Sequence, residues 1–366
     1  MPGAKTEGLR TAVIGGGACG LALARGLSQC GLSVEVFERS AALDSKGFGF
    51  LLLANGCHSL RQLGIDPGAR LGQPIASVRM VNSTGATLAH YPLQEVVAVS
   101  RSRLLDCLLE GAPPDLIHFQ YHLEGFEWED GLARTARFSN GLRRQADVFL
   151  GADGMGSQCR KEVVSCRVPR SGRVKEIVAS VNLPWLDSHL GSCFLKVLDP
   201  EGGLGAGLVP LGDGNLIWFV QFDSQRFLTP QQEQIQTFLR THLQGFPDPV
   251  LQVIDATDFR QVHLWHPVDA EPLARWSRGN LVLAGDAAHP LLPFTSQGVN
   301  TALEDAVVLS RLLCACDGPE AVPRLLETYE RERRPQVLTH VRDGRAMAEA
   351  FVQPGPGRPQ LPLLVP

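Results

Sequence analysis

Three glycines near the start of the chain have a spacing suited to binding a dinucleotide. Gly15, Gly17 and Gly20 form a GxGxxG pattern directly after the apolar run TAVI and at the start of an apolar-periodic segment. In that strand–turn–helix context the glycines permit a tight turn, close approach of a pyrophosphate and close helix–strand packing. We therefore identify Gly15, Gly17, Ala18 and Gly20 as candidate cofactor-binding residues.

An acidic residue follows at the place where such a site needs one. Glu38 ends the alternating segment SVEVFE, and Arg39 comes next. A carboxylate at the end of the second strand accepts hydrogen bonds from a ribose hydroxyl and disfavours the 2′-phosphate of NADP. Glu38 and Arg39 are therefore candidate cofactor ligands. The pattern is typical of FAD or NAD and does not distinguish between them.

Two further motifs lie far along the chain. GADG at 151–154 ends an apolar strand, and LVLAGDAAHPLLPFTSQGVN contains Gly285 and Asp286 before a predicted helix over 297–313. An aspartate at a strand end can bind a polyol hydroxyl, and free N–H groups at a helix start face an electron-rich ligand edge. Asp153, Gly285 and Asp286 are therefore candidate cofactor-binding residues.

The elements that must position these motifs form an interrupted pattern. A strand–helix–strand unit opens the chain, short alternating segments dominate the middle, and helices follow the third motif. The pattern predicts a dinucleotide-binding domain built from distant pieces, with a mostly antiparallel sheet domain inserted and a crevice between them. The predicted pieces are 9–75, 96–165 and 275–350 for the first domain, 76–95 and 174–270 for the second, and 352–366 for a Pro-rich tail.

The charge balance argues against some partners. The formal net charge is −4 and there is no run of lysine or arginine, so nucleic-acid binding is not expected. No apolar stretch approaches the roughly 20 residues that span a bilayer, so no membrane span is expected.

The nine cysteines are scattered without a CxxC pair, and no leader-like segment precedes the first predicted strand. This distribution favours a reducing, cytoplasmic location. Cys314 and Cys316 fall on different sides of a helix, which is poor geometry for joint metal ligation, so no metal site is expected.

The three motifs, in this order, resemble those of a known family. GGGACG with Glu38, then GADGMGSQCR, then AGDAAHPLLPFTSQGVNTALEDA resemble the FAD-dependent aromatic-ring monooxygenases of the para-hydroxybenzoate hydroxylase family. The resemblance covers roughly residues 10–345. It implies a mixed α/β fold in which the dinucleotide-binding domain is a Rossmann-like FAD-binding domain, with the inserted sheet as substrate domain and C-terminal helices.

The resemblance also implies an activity. FAD would be reduced by NADH or NADPH, and O₂ would then react at flavin C4a to give a hydroperoxide. That species would hydroxylate or epoxidise an electron-rich aromatic or polycyclic small molecule. The cofactor carries this chemistry, so the chain needs few catalytic side chains.

The resemblance assigns roles to the motif residues. The first motif would hold the ADP half of FAD through Gly15, Gly17, Gly20 and Glu38. Arg101, in SRSRLL, would lie along the flavin. Asp153 would lie near the pyrophosphate and help the nicotinamide donor to bind.

Other residues would lie at the isoalloxazine. Asp286 would bind the ribityl chain, and Pro293 would lie beside the reactive face. The predicted helix start would direct N–H groups to the flavin N1 and O2 edge, where negative charge collects on reduction, from Gln297, Gly298, Val299 and Asn300. Thr295 and Ser296 stand where the family often has two glycines, which predicts altered oxygen reactivity or flavin mobility.

Substrate contacts are expected from the inserted sheet. At strand spacing Trp218, Val220 and Phe222 share one face, while Phe219 and Gln221 share the other. Either face could line the pocket or belong to the core, and Trp218 is the substrate-binding candidate.

His289 joins Pro293 as a catalytic candidate, with a structural role as the alternative. Two other functions stay open: a flavin dehydrogenase or reductase that inserts no oxygen, and a flavin-binding partner protein without catalysis. The sequence does not predict the oligomeric state, the donor or the substrate.

Overall fold

The structure is a computed structural model that describes residues 8–43, 48–68, 70–164 and 170–355. Within these ranges the strands are β1 Arg10–Ile14, β2 Ser33–Glu38, β3 Gly49–Leu52, β4 Gln73–Pro74, β5 Ser77–Asn82, β6 Thr87–Pro92, β7 Val97–Ser100, β8 Ile117–Phe119, β9 Leu123–Glu129, β10 Leu132–Phe138, β11 Arg143–Gln145, β12 Val148–Gly151, β13 Arg170–Ser171, β14 Val174–Asn182, β15 Cys193–Leu198, β16 Leu204–Gly212, β17 Asn215–Asp223, β18 His263–Trp265, β19 Val268–Asp269, β20 Ser277–Arg278 and β21 Leu281–Leu283. The α-helices are α1 Ala18–Gln29, α2 Ala54–Gln62, α3 Arg101–Leu109, α4 Gln158–Val163, α5 Pro184–Leu190, α6 Ile235–His242, α7 Asp248–Asp255, α8 Gly298–Cys314 and α9 Val322–Val352.

A six-stranded sheet positions the three motifs. Its order is β20-β21-β12-β1-β2-β8, and all pairs except β20–β21 are parallel. β1 and β12 are apolar runs because both faces of this sheet are covered, and α1 and α8 pack together against it. The strand order reverses beside β1, and ligands of such sheets bind at the carboxyl ends of the strands at that point.

A seven-stranded sheet forms the second large layer. Its order is β18-β14-β17-β16-β15-β5-β6, and every pair is antiparallel except β15–β5. Alternate residues give it two faces. The outer face packs on α6 and α7, as in the contact between Phe222 and Phe238, whose ring centroids lie 4.8 Å apart. The inner face, which includes Phe194 and Ile217, packs toward Phe294 and α9.

The predicted fold class is confirmed: a parallel sheet carries the nucleotide motifs, a mostly antiparallel sheet is inserted, and helices α8 and α9 follow. The strands of the seven-stranded sheet come from 77–92 and 174–265. The domain boundaries given above stay a prediction. Of the predicted tail, residues 356–366 lie outside the described residues.

Two of the scattered cysteines are bonded to each other, which their positions in the sequence did not predict. Cys314 forms a disulfide with Cys30, and their Cα atoms are 5.8 Å apart although 284 positions separate them in sequence. The bond joins the ends of α1 and α8, an adjacency that spacing alone does not show. The cytoplasmic location stays a prediction. No described helix is long and apolar enough to cross a membrane.

Candidate active site

The first two motifs meet in one groove, which we call the dinucleotide groove. It has a volume of about 350 Å³ and lies at the carboxyl ends of β1, β2 and β12. Several of the predicted cofactor residues line it, namely Gly15, Gly17, Glu38, Arg39, Arg101 and Asp153. Residues that are far apart in sequence therefore share one site.

The glycine turn leaves no room for side chains on its inner side. Gly15 has φ +110°, and a Cβ there would lie 2.4 Å from the carbonyl oxygen of Ala152. A Cβ on Gly20 would lie 1.9 Å from the Gly15 carbonyl oxygen. A Cβ on Gly17 would meet nothing within 4 Å, so this glycine borders open space. The turn thus fits closely to the protein and leaves a cradle on its outer side.

Glu38 is fixed at the rim of the groove. Its Oε2 accepts a hydrogen bond of 2.7 Å from the Gly16 N–H, and its Oε1 accepts one of 2.8 Å from the Ser40 N–H. Each carboxylate oxygen can accept a further bond. The carboxylate is therefore held in place with acceptor capacity left for ribose hydroxyls.

Asp153 holds one carboxylate oxygen ready for a donor. Its Oδ2 accepts from the Gln158 and Cys159 N–H groups at 2.7 and 3.1 Å, which fixes the start of α4. Its Oδ1 is buried without a hydrogen-bond partner among the described residues. A buried acceptor without a partner is unfavourable, so this atom fits a ligand that donates hydrogen bonds.

Arg160 ties the second motif to the third. Its buried guanidinium donates to the carbonyl oxygens of Met155, Asp286 and Ala287 at 2.8, 2.5 and 2.7 Å. The sequence shows Arg160 beside GADG but gives it no role. The structure shows that it sets the distance between two cofactor loops.

Asp286 follows β21 in a short 3₁₀ turn, Gly285–Ala287. Burial raises the pKa of its carboxyl group, while the charges of His289, Arg160 and Arg101 oppose that rise. The positive charges of these three neighbours favour the ionised form of Asp286, against the effect of burial. The carboxylate is available for a polyol hydroxyl.

The start of α8 presents backbone donors. The helix begins at Gly298, and no side chain caps its first N–H groups. These include the N–H groups of Gly298, Val299 and Asn300, and the helix dipole adds positive potential there. The Gln297 side chain accepts a hydrogen bond of 2.9 Å from the Asn55 amide. The site thus suits the electron-rich edge of a ring.

The Asn300 side chain has a different task from its backbone. It is fully buried, accepts from the Leu53 N–H at 2.9 Å, and donates to the carbonyl oxygens of Leu51 and Ser296 at 3.0 and 2.7 Å. All three bonds are internal. Asn300 therefore fastens the loop before α8 to β3, and only its backbone faces a ligand.

His289 lies in a buried ionic network rather than in the dinucleotide groove. Its Nε2 is 2.6 Å from Asp305 Oδ2, and Arg333 Nε donates to Asp305 Oδ1 at 2.8 Å. Asp305 also accepts from the Gly285 N–H at 2.9 Å. Burial raises the pKa of Asp305, but His289 and Arg333 outweigh it and hold that pKa well below its usual range. His289 is therefore a positioning residue behind the third motif.

The loop before α8 contains a residue with a left-handed backbone conformation. Pro293–Thr295 form a 3₁₀ turn that ends at Ser296, which has φ 51° and ψ 22°, in the left-handed region. Side chains other than glycine are strained there. Thr295 is buried, and its Oγ1 has no hydrogen-bond partner among the described residues.

The placement of Trp218 corrects its proposed role in substrate binding. Trp218 is 1% exposed and lies on the outer face of the seven-stranded sheet, where its Nε1 donates to Thr257 Oγ1 at 2.9 Å. Val220 and Phe222 are buried on the same face. This face belongs to the core with α6 and α7. The other face, with Phe219 and Gln221, is the one turned toward the loop before α8.

A second space, which we call the inner-face cavity, lies on that side. It has a volume of about 260 Å³, and its walls include Lys196, Leu198, Leu204, Phe294, Met347 and Phe351. Phe294 belongs to the Pro293–Thr295 turn, so the cavity adjoins the loop that precedes α8. Sequence reasoning missed Lys196 and Glu176. The signal was the presence of charged residues within two otherwise mostly apolar strands, Lys196 in FLKVL and Lys175 with Glu176 in VKEIVASV.

These features define a class of protein. A parallel sheet with a glycine-turn groove binds a dinucleotide cofactor, and a mostly apolar cavity beside a helix start is typical of a small-molecule substrate site. Glycines that border the groove and the free Oδ1 of Asp153 fit such a cofactor. The chain thus has the fold and the groove of a dinucleotide-binding protein, with a second cavity beside the loop before α8.

Comparison with known proteins gives the family. The model of the family "FAD binding domain" matches residues 9–343, and the chain belongs to this family. It is 31% identical to 3-amino-4-hydroxybenzoate 2-monooxygenase PtmB3 of Streptomyces platensis, over 92% of this chain and 89% of that one. It is 30% identical to aurachin C monooxygenase/isomerase of Stigmatella aurantiaca, over 84% of this chain and 81% of that one.

A solved structure has the same fold. Klebsiella pneumoniae HpxO complexed with FAD and uric acid superposes with a TM-score of 0.85 at 23% identity, covering 94% of this chain and 90% of that one. The resemblance drawn from the motifs is confirmed: the chain is an FAD-dependent aromatic monooxygenase. Its cofactor is FAD, with NADH or NADPH as electron donor, as is general for this class.

Proposed function

We propose that the chain oxygenates a one-ring or two-ring aromatic or heteroaromatic molecule bound in the inner-face cavity. The size of that cavity, about 260 Å³, carries this proposal. An apolar cavity of about 150 Å³ binds benzene, and drug-sized ligands occupy about 300–1,000 Å³. A substituted single ring or a fused pair therefore fits this cavity.

The printed names of relatives support a small substrate. They include 3-amino-4-hydroxybenzoate 2-monooxygenase and 6-hydroxynicotinate 3-monooxygenase of Pseudomonas fluorescens, at 31% and 29% identity. Both names describe single rings that carry a hydroxyl group. Electron-donating substituents of this kind make a ring reactive toward an electrophilic oxygen. Such a ring is the substrate class we assign to this chain.

Bound FAD would supply the redox chemistry, accepting electrons from the nicotinamide and activating O₂. The chain positions the cofactor. Gly15, Gly17 and Glu38 would hold its ADP half, with Ala18, Gly20 and Arg39 around it. Asp153 would offer its free Oδ1 near the pyrophosphate. Asp286 beside Gly285 would bind the ribityl chain.

The remaining residues act at the isoalloxazine. Arg101 would lie along the flavin, and the N–H groups at the start of α8 would stabilise negative charge that develops on the reduced ring. Pro293 and the neighbouring Phe294 would separate the flavin from bulk water at the cavity wall. Because the electron donor has no second GxGxxG site in the sequence, NADH or NADPH would bind transiently.

A stopped-flow screen tests the proposal. FAD-bound protein is mixed anaerobically with NADH or NADPH in the presence of hydroxybenzoates, aminohydroxybenzoates and hydroxypyridines. We expect at least one single-ring compound to accelerate flavin reduction and to gain one oxygen atom from ¹⁸O₂ on aeration. Acceleration by polycyclic phenols alone would contradict the assigned substrate class. Acceleration without an oxygenated product would indicate the reductase alternative.

A further inference from the structure

Three polar side chains interrupt the apolar inner face of the seven-stranded sheet. Glu176 of β14 lies opposite Gln221 of β17. Lys196 lies on β15, two strands beyond β17, opposite Gly207 of β16. All three are at least nine-tenths buried, with exposures of 8%, 3% and 4% for Glu176, Gln221 and Lys196. Buried charges are rare unless they are paired or functional.

Two of these side chains satisfy each other only in part. The Gln221 amide donates to Glu176 Oε2 at 2.9 Å. The Oε1 of Gln221 is buried and has no hydrogen-bond partner among the described residues. Burial raises the pKa of Glu176 to about 7, against the opposing effects of Gln221 and Lys196. The pair is therefore polar and incompletely bonded, and its carboxylate acts electrostatically on Lys196, which lines the cavity.

Lys196 is the side chain that stands out. In the described parts of the chain its ammonium has no hydrogen-bond acceptor and no carboxylate at ion-pairing distance, and the Phe294 ring centroid lies 5.9 Å away. Burial lowers the pKa of Lys196 to about 8, with Glu176 acting against that change. The contact with the Phe294 ring does not neutralise this charge, so the ammonium lies at a mostly apolar cavity wall without a counter-ion, which is unfavourable.

Lys196 and Asp199 are the charged side chains that line the cavity, and Lys196 is the one without an oppositely charged partner in the described parts of the chain. Within the described ranges Lys196 is the only cationic side chain that lines the inner-face cavity. Asp199 also lines it, but its Oδ2 is already 3.2 Å from the Arg226 guanidinium. The remaining lining is mostly apolar. A ligand that brings a negative charge would therefore complete the site.

We propose that Lys196 determines substrate specificity by binding a carboxylate, and that the substrate is an aromatic carboxylic acid. The inference rests on the proposed function, since it names the substrate class of the same cavity. A carboxylate is preferred to a phenolate because a simple phenol has a pKa near 10 and is largely neutral at pH 7, whereas a benzoic-type acid is ionised. A charge-assisted hydrogen bond between an ammonium and a carboxylate is also roughly twice as strong as one between neutral groups.

The first test needs no variant. A panel of benzoate, 4-hydroxybenzoate and 3-amino-4-hydroxybenzoate is compared with the corresponding primary amides, using the visible absorbance of bound FAD to measure Kd. We expect at least one acid to bind about 10-fold or more tightly than its amide. Equal binding of acids and amides, or binding by none of the acids, overturns the proposal.

The second test uses Lys196→Met with a matched control. The control is Lys175→Met, which removes the other buried lysine of the sheet, whose ammonium bonds Ser171 and the Gly172 carbonyl oxygen and does not line the cavity. We expect Lys196→Met to weaken the acid about 10-fold and to leave the amide within about 2-fold, while Lys175→Met keeps the preference. The FAD content of each variant checks folding.

The two proposals fail in different ways. Oxygenation of a neutral phenol with no preference for acids overturns the role of Lys196 and leaves the proposed function intact. A strong preference for acids without oxygen in any product overturns the proposed function and leaves the carboxylate site intact. A preference for acids that persists unchanged in Lys196→Met overturns the assignment to this residue.

Discussion

The dinucleotide groove and the inner-face cavity are built by different means. The groove is formed by backbone: a glycine turn, strand ends and helix starts, with Glu38 and Asp153 held by backbone N–H groups. The cavity is formed by side chains from the seven-stranded sheet, the loop before α8 and α9. A backbone-built site requires fixed residue types at fixed spacings. A side-chain-built site can vary its residues while the fold stays the same, and so it can change substrate.

Breaking the groove should have the largest effect. A side chain on Gly15 would lie 2.4 Å from the Ala152 carbonyl oxygen on a backbone with φ +110°, so we expect Gly15→Val to abolish FAD binding and to destabilise the protein. Gly17→Ala is the variant to compare with Gly15→Val, because its Cβ meets no protein atom within 4 Å. It should leave the Tm of the FAD-free protein within about 2 °C and still weaken FAD binding.

Fluorescence titration of FAD with differential scanning calorimetry separates these outcomes. If Gly17→Ala binds FAD as tightly as the wild type, the open side of the turn is not the cofactor side.

Breaking the support behind the groove should have the next largest effect. Arg333→Met removes the guanidinium that bonds Asp305 Oδ1 and leaves a buried carboxylate with less compensation, so we expect a loss of about 3–5 kcal/mol in the free energy of unfolding. The control is Arg311→Met, in an ion pair with Glu332 whose side chains are 57% and 40% exposed. It should cost less than about 1 kcal/mol.

Urea denaturation of the FAD-bound variants measures both values. Similar losses in the free energy of unfolding for Arg333→Met and Arg311→Met would show that the ionic network around His289 does not stabilise the protein.

A pH series sharpens the contrast by changing the charges of Lys196, in the cavity wall, and of Glu176, which acts on it electrostatically. Lys196, with a pKa lowered to about 8, loses its charge as pH rises, and Glu176, with a pKa near 7, gains one. Both changes disfavour an anion, while Asp199 stays paired with Arg226. We expect the affinity for 4-hydroxybenzoate to be highest near pH 6 and to fall up to about 10-fold per pH unit above the pKa of Lys196.

The primary amide is the control, and its affinity should change little over the same range. An acid affinity that rises between pH 7 and pH 9 would contradict a cationic Lys196 in the free cavity.

The smallest effect is expected in the loop before α8. Ser296 has φ 51°, so Ser296→Gly should relieve strain and raise the free energy of unfolding by up to about 1 kcal/mol. Ser296→Ala keeps the strain and should give no gain. Thermal unfolding of the FAD-bound forms compares them. A gain for the alanine variant equal to that for glycine would show that the hydroxyl group, and not the backbone, is the source.

The same division explains what the sequence could predict. Gly15 and Asp153 could be named from the sequence because a glycine turn and a GADG segment that each follow an apolar strand are local patterns. The structure places both residues in the dinucleotide groove. The role of Trp218 could not be predicted, because the alternation of residues along β17 defines two faces but does not show which face is covered by α6 and α7. His289 is a catalytic candidate from sequence alone because its partners are not local: Asp305, which it contacts, lies 16 positions further along, and Arg333, which bonds Asp305, lies 28 positions beyond that.

Lys196 and the disulfide were missed for a related reason. A lysine in a strand is ordinary until the fold shows that it is 4% exposed and lines a cavity. Cys30 follows the last residue of α1, and Cys314 is the last residue of α8. The two cysteines meet because these helices pack side by side. Such contacts depend on tertiary packing, which local spacing does not encode.

The central claim, FAD-dependent oxygenation of a small aromatic acid, is tested most directly with ¹⁸O₂. FAD-bound protein is supplied with NADH or NADPH, ¹⁸O₂ and the aromatic acid that binds most tightly, and the product is analysed by mass spectrometry. The account predicts a ring product that carries one ¹⁸O atom, with formation that requires both the nicotinamide and bound FAD. Oxidation of the nicotinamide with the acid recovered unchanged, or a product without ¹⁸O, would contradict it.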